Sequence, residues 1–191
     1  MDIECENQPL EQRASPLFQR FMLRAAIPGA VLVALWITAG RSLFGAGGHL
    51  VGIFAITFGP ALLAILLVAA MWMWRDARRY EGAASTTQTL GILQVVTWVI
   101  ALIFGMLCPD VVEGKTVSVA SQLLGDEFVG LSAGFGNTAG ILTFVAAFSV
   151  FFVALGEERR SRKRAAGLSE EDEEMLARQG SEFEFLDDLD R

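Results

Sequence analysis

Histidine is almost missing from this chain of 191 residues, which has His49 and no other. Cysteine is nearly as scarce, with only Cys5 and Cys108. A conventional zinc or haem centre needs several imidazole or thiolate ligands, so the expected cofactor is none. The two cysteines lie far apart and form no C-x-x-C, which argues against paired-thiol redox chemistry and a disulfide scaffold. Charge is short as well: 19% of residues are charged, against roughly a quarter in an ordinary soluble domain. With 53% hydrophobic residues, the chain is too apolar to be disordered throughout.

What the sequence does have is long apolar runs. A membrane-spanning helix needs about 20 such residues, because the hydrocarbon core is roughly 30 Å thick and each residue rises 1.5 Å. Four stretches qualify: about Phe21–Gly40, Val51–Trp74, Leu90–Leu107 and Thr138–Gly156. The expected fold class is therefore all-α: a polytopic membrane protein with four transmembrane helices in residues 16–156. Arg24 must snorkel from the first span. No ionisable group falls at mid-span, where an ion pump would need one. The N-terminus MDIECENQPLEQ does not resemble a cleavable signal, so the first span is expected to be retained.

The basic residues orient the spans. Arg13, Arg20 and Arg24 precede span one, Arg75, Arg78 and Arg79 follow span two, and EERRSRKR follows span four. The other two loops carry Arg41 and Lys115. The positive-inside rule then puts both termini in the cytoplasm and 108–137 in an outer loop. The location expected is a bacterial plasma membrane, with the lipid bilayer as the first partner and no nucleic acid. Cys108 should then be open to impermeant thiol reagents and Cys5 protected.

Local features add detail. Ser15-Pro16 reads as N-cap and first helical residue. Pro28 and Pro60 should kink spans one and two. Trp36, Trp72 and Trp74 suit interfaces, whereas Trp98 is near mid-depth and must pack. RSLFGAGGH reads as a flexible glycine loop. In the outer loop, Val117, Ala120, Leu124, Phe128 and Leu131 have helical spacing, with Gly125, Gly130 and Gly134 limiting its length, which reads as an amphipathic helix on the outer surface or a re-entrant segment. Small residues recur every four positions at Ala26, Ala30 and Ala34, at Gly136 and Gly140, and at Thr143 and Ala147. Such rows let helices approach closely, within one bundle or in a homo-oligomer.

Three sets of residues are candidates for function. Gln94 and Thr97, one turn apart, could bond across helices or line a polar path together with Thr143. Gly130-Leu131-Ser132-Ala133-Gly134 matches G-x-S-x-G, but no α/β sheet is expected to present Ser132, so a Ser132–His49 hydrolase is disfavoured. The third set is the tail. Residues 1–164 carry 13 basic and 12 acidic side chains, whereas residues 165–191 carry 2 and 10. The whole acidic excess therefore sits in the tail. It holds a short helix from Ser169 to Gly180, then Phe183, Phe185, Leu186 and Leu189 among acids. Acidic-hydrophobic segments of this kind often fold on a partner.

The expected function is a non-enzymatic subunit or scaffold of a membrane complex, with the tail docking a cytoplasmic protein. The alternative is a small oligomeric transporter or channel subunit.

Overall fold

A computed structural model describes residues 16–167 of the chain. The disorder expected for residues 1–15, the Ser169–Gly180 helix and the four apolar tail residues lie outside them. Within the described residues the protein is mostly helical. The first helix, α1 (Leu17–Thr38), starts one residue later than expected. Pro16 is extended and is itself the N-cap, its carbonyl accepting from the amides of Gln19 and Arg20. Proline cannot donate, so it costs nothing where helical amides have no partner.

The second apolar run is two helices, α2 (His49–Ile56) and α3 (Phe58–Ala77), broken at Thr57. The cause is Pro60, which offers no N–H to the Ile56 carbonyl and whose ring crowds it. The Thr57 hydroxyl covers the break locally by donating to the Ile53 carbonyl at 2.6 Å. The helix α4 (Gln88–Leu107) begins at Thr87, whose side chain accepts from the Leu90 amide, and stops before Pro109.

The segment expected to be a loop of about 30 residues is largely ordered. It opens with an antiparallel hairpin, β1 (Asp110–Val112) and β2 (Lys115–Val117), in the register Val111 to Thr116. Both turn residues, Glu113 and Gly114, have positive φ, the geometry that joins two strands tightly. The expected amphipathic helix is shortened to α5 (Val119–Leu124), because Gly125 takes a φ of 118° and ends it. The last helix, α6 (Phe128–Ala165), starts ten residues before the expected fourth span. Gly130 and Gly134 do not limit it. A glycine weakens a helix by only about 1 kcal/mol, and no proline follows to stop propagation. At its far end α6 takes in the basic run Arg159–Arg164, so this part of the expected tail is helix.

Four helical stretches, Leu17–Thr38, His49–Ala77, Gln88–Leu107 and Phe128–Ala165, are long and apolar enough to cross a membrane. They run alternately up and down. The close pairs are α1–α3, α3–α6, α6–α4 and α4–α1, which closes a ring. One end of the bundle carries the hairpin and the other carries the arginines of α3 and α6. Ala30, Val33, Ile37, Leu62 and Phe104 form the core of the hairpin half. Leu23, Ala69, Ala70, Met73, Leu90 and Val150 form that of the arginine half. Apolar side chains also cover the outside, among them Leu32, Val99, Leu102, Leu142 and Phe152. So large an apolar exterior is foreign to a soluble monomer.

The small residues face inward. Ala26, Ala30 and Ala34 on α1 are buried, as are Gly136, Gly140, Thr143 and Ala147 on α6. Gly140 lies against the Phe104 ring, and Gly136 against the backbone after α4. Gly29 lies against the indole of Trp98, which gives that mid-depth residue its packing partner. Trp36 reaches across to α4 as well, donating from Nε1 to the Leu102 carbonyl at 3.1 Å. At the arginine end, Arg79 latches α3 to α6 through Glu158 at 2.9 Å and through the Ser161 hydroxyl at 3.2 Å.

These contacts separate two kinds of glycine on one helix. A methyl at Gly140 would sit 2.9 Å from Phe104, whereas nothing lies within 4 Å of a methyl at Gly134. Gly140→Ala should destabilise the bundle by about 1–3 kcal/mol through overpacking. Gly134→Ala should be neutral or stabilising by up to about 1 kcal/mol through helix propensity. Thermal unfolding of the two variants in one detergent checks the contrast.

Candidate functional site

The hairpin end is built around one buried carboxylate. Asp110 is the first residue of β1, directly after Pro109 has turned the chain out of α4. Its Oδ2 meets Arg41 Nη2 at 2.7 Å, and both side chains are out of contact with solvent. Arg41 comes from the 3₁₀ turn Gly40–Phe44 that follows α1. The same carboxylate accepts from the amides of Gly48 at 2.9 Å and Leu50 at 3.1 Å. It also accepts from the Val111 amide at 2.8 Å. Gly48 and Leu50 open α2, so Asp110 caps that helix from 60 residues away along the chain. Its negative charge also suits the positive end of the helix dipole.

Gly48 makes the approach possible, since a Cβ there would run into the Asp110 carboxylate and the Val111 carbonyl. The glycine-rich segment expected to be flexible is therefore folded over an ion pair. Arg41, expected as a loop charge, is fully buried instead. Its guanidinium lies over the Phe54 ring at 5.3 Å, and its Nε and Nη1 have no partner among the described residues. Cys108 is buried beside it. Burial pushes the thiol pKa up, and the neighbouring Arg41 charge offsets this only in part. Cys108 is thus a poor target for thiol reagents, contrary to the expectation from topology alone.

Phe54 also belongs to a second feature. A groove of about 600 Å³ runs down the side of the bundle between α2, α3, α4 and α6. Phe54, Phe58, Phe104, Phe144 and Phe148 line it, with Cys108 and Asn137 as its polar residues. The rings brace one another: Phe58 stacks on Phe54 at 5.0 Å and meets Phe144 edge-on at 5.1 Å. Ile141 and Val145 of α6 form an exposed lip. The size and apolar lining are those of ligand-sized pockets.

The residues singled out in the sequence are placed elsewhere. Ser132 is buried in α6, its Oγ 2.7 Å from Ser118 Oγ. Ser118 caps α5, exchanging hydrogen bonds with Ser121, so the Ser132 hydroxyl ties α5 to α6. His49 is exposed at the start of α2. The G-x-S-x-G run lies on a continuous helix and forms no elbow.

Gln94, Thr97 and Thr143, the residues of the expected polar path, are all buried. Thr97 and Thr143 each donate to a carbonyl one turn back in their own helices, at Leu93 and Ala139. Among the described residues neither hydroxyl bonds across helices. Gln94 is buried beside a cavity of about 10 Å³ bordered by Met73 and Trp98, with no partner for its Oε1 among the described residues. That space suits about one water molecule.

The sequence reading missed Arg41, Asp110 and Gly48 as a unit. A signal was present: a lone Arg directly after one apolar run and a lone Asp directly after another, at the same end. No protein-family model, curated protein or solved structure matches the chain.

Removing one partner of a buried pair leaves an uncompensated charge, at a cost of about 3–5 kcal/mol. Asp110→Ala should therefore lower stability by that order. The double variant Arg41→Met with Asp110→Ala should recover part of the loss, although α2 stays uncapped. A double-mutant cycle by thermal unfolding measures the difference. Additive losses would show that Arg41 and Asp110 do not depend on each other.

Proposed function

We propose that this chain is a non-enzymatic subunit of a membrane complex, inserted through all four spans with both termini cytoplasmic. The groove beside the five phenylalanines is the observation that supports this reading. It opens sideways, flanked by the exposed apolar residues of α6. In a bilayer such a concavity faces lipid or a neighbouring helix, never water. Its occupant in this proposal is the apolar face of a partner's transmembrane helix, seated against Ile141 and Val145. Van der Waals fit of that kind drives helix association in lipid.

The orientation rests on charge. The arginines cluster at one end of the bundle, while Arg41 at the other end is neutralised by Asp110. That leaves the hairpin end still poorer in free positive charge than a residue count implies, as the positive-inside rule requires of an outer face. The proposed location is a plasma membrane of bacterial type. The acidic tail, with Phe183, Phe185, Leu186 and Leu189, is the proposed dock for a cytoplasmic protein. The competing transporter reading has less support, since the Thr97 and Thr143 hydroxyls are taken up by carbonyls of their own helices.

Two measurements test the reading. Crosslinking in native membranes should recover a membrane partner that Ile141→Trp loses, because the indole would fill the groove. A chain ending at Gly167 should lose a cytoplasmic partner and keep the membrane one. Partner sets identical for all three chains would sink the proposal. For orientation, Lys115→Cys in a Cys5→Ser background places an exposed thiol on the hairpin. An impermeant maleimide should label it in intact cells at neutral pH. Cys108 should stay slow, because its raised pKa keeps the reactive thiolate scarce until the pH rises further. Labelling of Lys115→Cys only after permeabilisation would reverse the orientation.

A further inference from the structure

We infer that the arginine end holds a binding site for the phosphates of an anionic phospholipid. A cavity of about 620 Å³ opens between the end of α3 and the basic part of α6. Five arginines line it: Arg75, Arg78 and Arg79 from the α3 side, and Arg159 and Arg162 from α6. Glu158 is the one acid in the lining, and it is engaged by Arg79 at 2.9 Å. Among the described residues, none of Arg75, Arg78, Arg159 and Arg162 has an acidic partner. Four guanidinium groups of like charge thus converge on one space. All four are exposed, so solvent screens part of their repulsion, and an anion seated between them is attracted by all four.

The chemistry of the lining selects the anion. Guanidinium offers a planar fork of donors that matches two phosphate oxygens at once. Two of the forks are held in place by ring faces: Arg75 lies over Trp72 at 5.1 Å and Arg78 over Trp74 at 5.9 Å. Stacking uses the face of the guanidinium and leaves its N–H edge for an oxygen. Four uncompensated positive charges suit more than one phosphate.

The remaining wall is apolar, formed by Trp72 and Leu155. The cavity therefore straddles the boundary where the apolar stretches of α3 and α6 give way to charge. A free phosphate has no use for that wall, whereas a phospholipid presents phosphate and hydrocarbon in this order. Basic pockets between helices on the cytoplasmic side have the composition that recognises such headgroups. The inference shares with the proposed function the premise of membrane insertion, and it is independent of any protein partner.

The test uses the full chain in neutral-detergent micelles doped with equal amounts of phosphatidylcholine and cardiolipin, read by native mass spectrometry. Cardiolipin should be retained at least tenfold over phosphatidylcholine. The triple variant Arg78→Gln, Arg159→Gln, Arg162→Gln should lose about tenfold of that retention, with unchanged phosphatidylcholine adducts and unchanged thermal unfolding. It spares Arg79, whose latch the fold uses. Lys115→Gln at the opposite end should retain cardiolipin like the parent chain. Equal retention of both lipids, or a triple variant that binds like the parent, would overturn the inference. So would full displacement by millimolar inorganic phosphate, which would identify a free phosphate as the ligand. Retention of cardiolipin only by a chain ending at Gly167 would also overturn it, assigning the cavity to the acidic tail. None of these outcomes touches the crosslinking result, so the two readings fail separately.

Discussion

A single carboxylate organises the end of the bundle where three connections meet. Asp110 receives Arg41, two amides at the start of α2 and the Val111 amide of its own strand. These donors come from the turn after α1, the entry to α2 and the exit from α4. Without it the buried Arg41 would be an unpaired charge, which is expensive where water is excluded, and the partly buried amides would lose their acceptor. The ion pair is thus less a source of stability than a condition on geometry. Once Arg41 is buried, the acid must be there, and the chain must bring it at the right height. Pro109 and Gly48 are what let it do so, one by ending α4 and the other by leaving room for the carboxylate.

The two ends of the bundle solve opposite electrostatic problems. At the hairpin end Arg41 and Asp110 are internal, paired and covered by Phe54, while Glu113 and Lys115 stay exposed. At the other end Arg75, Arg78, Arg159 and Arg162 are exposed beside the Arg79–Glu158 latch. Between them lie helices whose polar side chains mostly bond to their own backbone, as Thr38, Thr97, Thr143 and Ser149 do. Satisfying a hydroxyl within its own helix leaves packing as the main agent that joins one helix to the next. That explains why Gly29, Gly105, Gly136 and Gly140 sit where an aromatic ring or a backbone segment comes close.

Much of the architecture was legible in the sequence. Long apolar runs give four helices because composition and length act locally, residue by residue. The inward face of Ala26, Ala30 and Ala34 was readable for the same reason, from spacing alone. What failed to show was set by distant contacts. The break at Thr57 depends on Pro60 four residues after the carbonyl it disturbs, and hydropathy averages across it. The early start of α6 defied the usual reading of Gly130 and Gly134 as helix stops, since nothing else interrupts the helix there. The hairpin hid because Glu-Gly is a weaker turn signal than Asn-Gly, although Val111, Val112, Thr116 and Val117 around it favour strands. The Arg41–Asp110 unit joins residues 69 apart in the chain, a separation that no local pattern encodes. Ser132 and Gln94 were conspicuous by type, yet one ties two helices and the other borders a space for about one water.

The length of α6 has a mechanical meaning. Its 38 residues form one unbroken rod, about 57 Å long at 1.5 Å per residue. The Ser132–Ser118 contact grips it near one end, and the Arg79–Glu158 contact grips it near the other. Held near both ends and packed along its length against α3 and α4, it is a strut between the two ends of the bundle. A tilt of about 5° would carry its tip through about 5 Å over that length. A displacement of that size would break one contact or the other, so the pair together fixes how α6 is inclined to its neighbours.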